Sequence, residues 1–219
     1  MFNGQAEQDK FVCNILKHKT NGKFLEIGSN HPITINNSYI LENTYNWKGI
    51  MIEYDKKWLH LYKKNRSNSI HIINDATKID YKKLLLENNF PKNIDYLQID
   101  LEPTNGSTIN TLKKLDEQIM DNYKFAVITF EHDCKKILSH IPIVQETRTL
   151  SREIFKRRGY ICVFEDIHNI KPKHVYEDWW VHPDLVDMNY VKLLIERNKN
   201  KYVFNETTGK SINWQDIEY

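Results

Sequence analysis

Short apolar runs typical of β-strands alternate with amphipathic helical runs along most of this chain. The strand-like runs are Phe24–Ile27, Gly49–Glu53, Ile70–Ile73, Asp95–Asp100 and Phe125–Phe130. The segments between them carry apolar residues at helical spacing. Parallel strands need long crossover connections, which are usually helices, so this alternation predicts a mostly parallel sheet with helical crossovers.

The pattern changes after Gly159, which stands where the C-terminal cap of a helix is expected. Tyr160–Asp166 and Val175–Val181 are both strand-like, and only the turn-like stretch Asn169–Lys173 lies between them. So short a connection predicts antiparallel pairing. The expected fold class is therefore α/β, a doubly wound sheet of about seven strands with an antiparallel C-terminal hairpin.

Composition indicates a folded chain, because 40% of its 219 residues are hydrophobic and 12% are aromatic. No repeat or Pro/Gly-rich linker divides it. We therefore expect one domain over residues 1–219, with an N-terminal helix in 1–21 and an extension over 198–219. The extension is polar with scattered aromatic residues, and it either folds back on the domain or makes a contact in a homo-oligomer.

The charge balance disfavours a nucleic-acid partner, since 31 basic and 29 acidic residues leave a net charge of only +2. No apolar run approaches the ~20 residues of a membrane span, and the N-terminus does not resemble a signal peptide. We therefore expect no membrane partner. Cys13, Cys134 and Cys162 form no CxxC pair, which favours reduced thiols in a cytoplasmic protein.

Polar residues follow the carboxyl ends of five successive strands, which is the edge where open α/β sheets bind ligands. A single polar loop or helix cap would mean little, but five in succession indicate a site. The residues are Glu26, Gly28, Ser29 and Asn30 after the first strand, then Glu53, Asp75, Asp100 with Glu102, and Glu131, His132 and Asp133 after the fifth.

The first loop favours a cofactor that contains a nucleoside. Gly28 would let a ligand approach the backbone, and Glu53 could accept both ribose hydroxyls from the end of the second strand. The loop has a single glycine, however, and it does not match the GxGxxG motif that holds a pyrophosphate. A cofactor without phosphates fits better, which points from NAD towards S-adenosylmethionine.

Three stretches resemble the class I S-adenosylmethionine-dependent methyltransferases of the FkbM type. They are Gly22–Gly28, Trp47–Glu53 and Ile94–Glu102. The resemblance implies a Rossmann-like sheet of seven strands, and methyl transfer that is often to a hydroxyl of a sugar or natural product. The chain departs from the family in having no second glycine in the first loop, and in reading Asp-Leu-Glu-Pro where Asp-Val-Glu-Gly is common.

The resemblance also implies roles for the strand-end residues by position. Glu26, Gly28 and Ser29 would lie along the methionine part of the cofactor. Asn30, in the same loop, is also a predicted cofactor-binding residue. Glu53 would hold the ribose and Asp75 would face the adenine amino group. Asp100 would lie beside the cofactor at the reaction centre.

Methyl transfer to a hydroxyl requires alignment of donor and acceptor and removal of a proton. His132 is the predicted catalytic base, because it follows the fifth strand and should open onto the cleft. The flanking Glu131 and Asp133 could orient its ring and raise its basicity. A metal remains an alternative. Asp100, Glu131 and His132 could bind Mg²⁺ or another divalent cation that lowers the pKa of the acceptor.

The predicted acceptor is a sugar or related small molecule, or a glycan. Neighbouring residues on a strand point to opposite faces, so one of Trp179 and Trp180 should fill the core while the other forms a platform for a sugar ring. The predicted polar contacts to the same substrate are Asp178, His182, Glu102 and Asp133.

Two other functions are compatible with the predicted architecture. An NAD(P)-dependent oxidoreductase is disfavoured by the missing GxGxxG motif and by the terminal hairpin. A non-catalytic nucleotide-binding module is disfavoured by the intact set of acidic residues at the strand ends. A methyltransferase acting on amino groups of nucleic acids usually carries an Asn/Asp-Pro-Pro-aromatic motif, which this sequence lacks.

Overall fold

Nine strands form one sheet in the computed structural model, which describes residues 2–135, 137–168 and 174–219. In chain order they are β1 (Lys23–Ile27), β2 (Lys48–Glu53), β3 (Ile70–Ile73), β4 (Asn93–Ile99), β5 (Lys124–Glu131), β6 (Ile161–His168), β7 (Val175–Val181), β8 (Val203–Asn205) and β9 (Gly209–Asn213). Across the sheet their order is β3-β2-β1-β4-β5-β7-β6-β9-β8. The predicted turn at Asn169–Lys173 lies outside the described residues.

Helices connect the strands and cover both faces of the sheet. They are α1 (Gln8–Ile15), α2 (Tyr39–Asn43), α3 (Leu59–Asn65), α4 (Tyr81–Glu87), α5 (Ser107–Gln118), α6 (Pro142–Arg157) and α7 (Met188–Asn198). Local sequence explains several of their ends. The Asp80 side chain caps α4 by accepting from the Lys83 amide, and Asp187 caps α7 in the same way. No helix in the described ranges has both the length and the apolarity that a membrane crossing requires.

Strands β1 to β5 are parallel, as the sequence predicts. β1 lies between β2 and β4, so the chain builds outward in one direction through β2 and β3, then returns to build in the other. Crevices for ligands form at the carboxyl ends of strands where the order reverses in this way. The fold is therefore the expected Rossmann-like α/β sheet, and its switch point lies between β1 and β4.

The predicted hairpin is present, with β7 antiparallel both to β5 and to β6. Its direction decides where its residues lie. Glu177, near the start of β7, is opposite Glu131 at the carboxyl end of β5, whereas Val181 is opposite Val127. The first residues of β7 therefore lie at the edge of the sheet that carries the switch point, and its last residues lie towards the opposite edge.

The C-terminal extension folds back and extends the sheet beyond the predicted seven strands. β9 pairs with β6 in parallel, where Ile167 is opposite Ile212, and β8 pairs with β9. Ile212 and Ile217 are buried in the same apolar cluster as α1 and α7. The extension thus completes one face of the core.

Candidate active site

Two cavities lie over the carboxyl ends of the parallel strands, one on each side of the β1 loop. The first measures about 440 Å³ and is lined by Ile52, Glu53, Tyr54, Asn74, Asp75, Ala76, Leu101, Glu102, Asn105 and Ser107. The second measures about 400 Å³ and is lined by Gln5, Glu26, Gly28, Ser29, Asn30, His31, Thr34, Ile35, Asn36, Asn37, Gln98 and Asp100. Between them, these cavities contain every residue that the sequence suggested for cofactor binding.

Gly28 allows the β1 loop to lie directly against the end of β4. Its φ is +87°, and a Cβ at this position would lie 1.7 Å from the carbonyl oxygen of Asp100. Its amide also donates to the Ile52 carbonyl on β2 at 2.9 Å. Glycine is therefore required both for the left-handed conformation and for the close approach of two backbones at the switch point.

Glu53 connects the loops on either side of the first cavity. Its Oε2 accepts a hydrogen bond from the Asn30 amide at 2.7 Å, and its Oε1 accepts from the Asp55 amide at 2.9 Å. A carboxylate has about four acceptor positions, so both oxygens keep capacity for ligand hydroxyls. Across the cavity, hydrogen bonds from Thr77 lower the pKa of Asp75 and keep it ionised.

The second cavity contains buried acceptor atoms that lack donors. Glu26 Oε1, Asn37 Oδ1 and Gln98 Oε1 have no hydrogen-bond partner within the described parts of the chain. Burial raises the pKa of Glu26, although Asn36 donates to its other oxygen at 3.2 Å. Unpaired buried acceptors cost free energy, so this cavity suits a ligand that brings several N–H donors, such as an ammonium group.

Two residues that shape the second cavity, Gln98 and Arg66, were not found by sequence reasoning. Gln98 is a polar residue in the apolar run of β4, a signal that was available. Arg66 offered no comparable signal, because it stands among surface lysines, yet it is fully buried. Its guanidinium donates to the Pro32 carbonyl at 3.1 Å and to Asn36 Oδ1 at 2.7 Å, and so holds the loop that closes the cavity.

Four carboxyl groups gather beyond the second cavity, where β4 and β5 end and β7 begins. Glu131 is hydrogen-bonded to Asp100, and Asp133 follows two residues later. Glu177 lies opposite Glu131 and accepts from Gln8 Nε2 at 2.9 Å. Burial raises the pKa of both members of the Asp100–Glu131 pair, and it raises the pKa of Glu177 to about 8.

His132 does not open onto the cleft, which corrects the expectation from its position after the fifth strand. Its side chain is fully buried, and its Nε2 lies 3.4 Å from Asp178 Oδ1. Its Nδ1 accepts from the Cys134 amide at 3.2 Å, so the ring proton is on Nε2. The chain turns at this point, since the amides of His132 and Asp133 both donate to the Tyr176 carbonyl. Only Glu131 and Asp133 are left near the cleft.

The predicted metal ligands do not converge on one point, because Asp100 and Glu131 are neighbours whereas His132 faces Asp178. Among the described residues, the one group with three metal-ligating atoms within 4.8 Å of one another is His132, Asp166 and Asp178. Its carboxylates already have cationic partners. Arg148 binds Asp166 through two hydrogen bonds, and Arg152 binds Asp178 through two more, at 2.6–2.8 Å. With a neutral His132, the charges of this cluster cancel without a metal.

The structure also contradicts the predicted aromatic platform. Both tryptophans are buried, because helices cover both faces of the sheet at β7. The Trp179 ring stacks on Phe11 with centroids 4.6 Å apart, and the Trp180 ring lies 5.3 Å from Phe155. Asp178 is committed to Arg152, so it is not free for a substrate contact.

His182 was predicted to contact substrate, but it lies at the wrong edge of the sheet. Its amide donates to the Ala126 carbonyl, near the amino end of β5. The antiparallel direction of β7 explains this placement. Glu102 and Asp133, the other predicted substrate contacts, do lie at the switch-point edge, and Glu102 lines the first cavity.

Neither a protein-family model nor a curated protein matches this chain. Solved structures do match its fold. A Clostridium thermocellum protein proposed to be an rRNA methylase is 12% identical over 83% of this chain and 98% of its own, with a TM-score of 0.52. The METTL16 methyltransferase domain is 13% identical over 79% of each chain, with a TM-score of 0.51. A proposed exported protein from Bordetella parapertussis is 11% identical over 83% and 70%, with a TM-score of 0.50.

Such low identities establish likeness of fold alone. The FkbM type remains a resemblance of motifs. The chain therefore has the Rossmann-like fold that class I methyltransferases share.

Proposed function

We propose that this chain is an S-adenosylmethionine-dependent methyltransferase that acts on a hydroxyl of a sugar or related small molecule. One observation carries the proposal. The two cavities flank Gly28 at the switch point, and their polar groups differ in the way that the two ends of this cofactor differ. Glu53 and Asp75 in the first cavity suit a nucleoside, whereas the unpartnered acceptors of the second suit an amino-acid end.

Each part of the cofactor has residues suited to bind it. Glu53 would accept from the ribose hydroxyls, and Asp75 from the adenine amino group. Glu26, Asn37 and Gln98 would accept from the methionyl ammonium. When bound, the cofactor supplies a methyl group activated by the adjoining sulfonium.

Asp100 is the best-placed base for a hydroxyl acceptor, in the role first expected for His132. It lines the second cavity beside Gly28 and Gln98. Burial raises its pKa, and a carboxylate with a raised pKa is a better proton acceptor near neutral pH. Glu131 holds it through their shared hydrogen bond. Asp100 would therefore take the proton that the acceptor hydroxyl loses.

Other ligands fit less well. A dinucleotide would place a pyrophosphate against Glu26 and Asp100, in a loop with one glycine. One structural neighbour is proposed to act on rRNA, which weakens the expectation against a nucleic-acid acceptor. The carboxylates of Glu53, Asp75 and Glu102, which line the first cavity, would nevertheless repel nucleic-acid phosphates.

Calorimetric titration with S-adenosylmethionine and S-adenosylhomocysteine tests the proposal, with NAD as the comparison and each ligand with and without Mg²⁺. We expect micromolar binding of both adenosyl compounds, independent of Mg²⁺, and no binding of NAD. Asp184→Asn is a matched control, because it removes an exposed carboxylate that pairs with Lys124 away from the cleft. Failure of both adenosyl compounds to bind, or binding of NAD in their place, would contradict the proposal.

A further inference from the structure

Ile35, in the loop between β1 and α2, has a backbone conformation that does not suit its side chain. Its φ is +56°, in the left-handed region, where a side chain branched at Cβ is strongly disfavoured. Every other non-glycine residue with a positive φ in the described ranges carries a polar side chain, and most of them are Asn or Asp, which tolerate this conformation. Isoleucine is therefore present here at a cost in free energy.

Contacts on both sides of Ile35 hold the loop in this turn. Before it, the Ile33 carbonyl accepts a hydrogen bond from Asn3 Nδ2 at 3.0 Å. After it, Asn36 Oδ1 accepts from the guanidinium of the buried Arg66 at 2.7 Å. Because both neighbouring segments are held, the backbone at Ile35 has little freedom to leave the left-handed region.

Burial in the folded chain does not compensate for this strain. The Ile35 side chain is 60% exposed, and it belongs to neither of the two apolar clusters of the core. An asparagine or a glycine would adopt the same φ with less strain. Packing within the described chain therefore gives no reason for an isoleucine at this position. Local rules are broken in this way mainly at functional sites.

The position of Ile35 indicates such a function, because the residue lines the second cavity. Among the described residues around this cavity, it is the one with an aliphatic hydrocarbon side chain, and the others are polar or glycine. The amino-acid end of the proposed cofactor has two kinds of surface. Its ammonium group suits the unpartnered acceptors of the cavity, whereas its methylene groups need an apolar contact, which Ile35 can supply.

We propose that Ile35 is a cofactor-contact residue that covers the methylene groups of the methionyl chain, and so selects adenosyl compounds that carry an amino-acid end. This inference rests on the proposed function and adds a specificity-determining residue to the same site. Binding of the cofactor would bury the side chain that the free protein exposes. The free energy of that burial would offset the strain of the turn.

The test compares two ligands by calorimetric titration of the whole protein. S-adenosylhomocysteine carries the amino-acid end, whereas methylthioadenosine keeps the nucleoside and the sulfur but has a methyl group in place of that end. We expect Ile35→Asn to weaken the binding of S-adenosylhomocysteine at least about fivefold, and to change that of methylthioadenosine by less than about twofold.

Two further variants separate the loss of the apolar side chain from other effects of the substitution. Ile35→Gly introduces no polar group and should weaken S-adenosylhomocysteine binding in the same way, which also provides a second test if Ile35→Asn folds poorly. Ile35→Val keeps a branched apolar side chain and should retain most of the affinity.

Lys17→Asn is the matched control. Lys17 is exposed and has a similar φ of +51°, but it lines neither cavity at the switch point. Its replacement should leave both affinities unchanged.

The stability of the unliganded protein provides an independent readout. Urea denaturation should show a higher midpoint for Ile35→Asn than for the wild type, because asparagine tolerates the left-handed conformation and little burial is lost. A residue that merely supports the fold would give the opposite result. A lower midpoint in Ile35→Asn would therefore overturn the inference.

The binding outcomes separate this inference from the proposed function. Failure of S-adenosylhomocysteine to bind the wild-type protein would overturn the proposed function itself. If that ligand binds and Ile35→Asn binds it equally well, Ile35 does not contact the methionyl chain. Equal losses for the two ligands would mean that Ile35 shapes the loop as a whole, and would overturn the inference as well.

Discussion

At the scale of single residues, Gly28 is the position where the fold and the candidate site depend most on one side chain. Gly28→Ala would bring a Cβ within 1.7 Å of a backbone oxygen, which cannot rotate away. We expect a loss of more than about 4 kcal/mol in the free energy of unfolding, or no folded protein. Urea denaturation followed by circular dichroism measures it.

Gly159→Ala separates the destabilisation caused by steric collision at Gly28 from the destabilisation caused by backbone strain alone. Gly159 also has a positive φ, +83°, but an added Cβ would meet nothing within 4 Å. Strain alone should therefore cost about 1–2 kcal/mol. Equal losses in the two variants would show that the close approach at Asp100 does not matter.

Glu53→Ala should weaken the binding of S-adenosylhomocysteine at least about tenfold, because it removes charged hydrogen bonds to the ribose and frees the Asn30 amide. Asp55→Ala is the comparison, since the side chain of this acidic neighbour binds Lys57 alone among the described residues. Calorimetric titration of both variants measures the effect. Unchanged affinity in Glu53→Ala would remove Glu53 from the ribose site.

The residues of the cofactor cavities could be predicted because strand ends of a parallel sheet share one edge. The role of His132 could not. Its position after β5 is evident from the sequence, but the direction of its side chain depends on a backbone turn made with Tyr176, a residue 44 positions later. Sequence spacing contains no information about that contact. Asp100 and Glu131 were assigned to the same cleft because they also stand at strand ends. Glu131 directly precedes His132 in sequence.

At the scale of elements, a buried ionic cluster attaches the β6–β7 hairpin to α6. Arg152 on α6 binds Asp178 on β7, and Arg148 binds Asp166 on β6. Burial alone would raise the pKa of Asp178, but the hydrogen bonds from His132 and Arg152 hold it well below its usual range.

Arg152→Met should therefore leave a buried carboxylate without its partner and destabilise the fold by about 3–5 kcal/mol. Asp184→Ala removes an exposed ion pair with Lys124, and should cost less than about 1 kcal/mol. Urea denaturation of both variants at pH 7 compares the two pairs. A loss in Arg152→Met no larger than that of the surface variant would mean that the hairpin is held by apolar packing alone.

Strands with a long apolar run could be predicted from the sequence. Strands that form only because a neighbouring strand offers an open edge could not. The strands β1 to β7 each contain an apolar run within the predicted ranges, whereas β8 and β9 have only three and five residues, too few to show a strand pattern. Such short strands form because β6 offers an open edge. Helix α7 was also missed, although Val191, Leu194 and Ile195 within it stand at helical spacing, a signal that was available.

At the scale of the whole molecule, the concentration of buried carboxyls makes stability depend on pH. Burial raises the pKa of Glu177 to about 8 and that of Asp9 to about 6, and it raises the pKa of Glu26, Asp100 and Glu131 as well. The folded chain therefore binds more protons than the unfolded chain from about pH 4.5 upward. Stability falls with rising pH wherever the folded state binds more protons.

We expect the free energy of unfolding, without ligand, to decrease from pH 5.5 to pH 8, by about 1.4 kcal/mol per pH unit for each extra bound proton. Glu177→Gln cannot ionise, so it should be more stable than the wild type at pH 8 and should show a shallower slope. Asp178 acts in the opposite direction, because its lowered pKa makes its contribution disappear in acid, below its unfolded pKa. Urea denaturation at several pH values measures these slopes. Stability that rises between pH 5.5 and pH 8 would mean that these buried carboxyls are already ionised in the folded protein, and would contradict their raised pKa values.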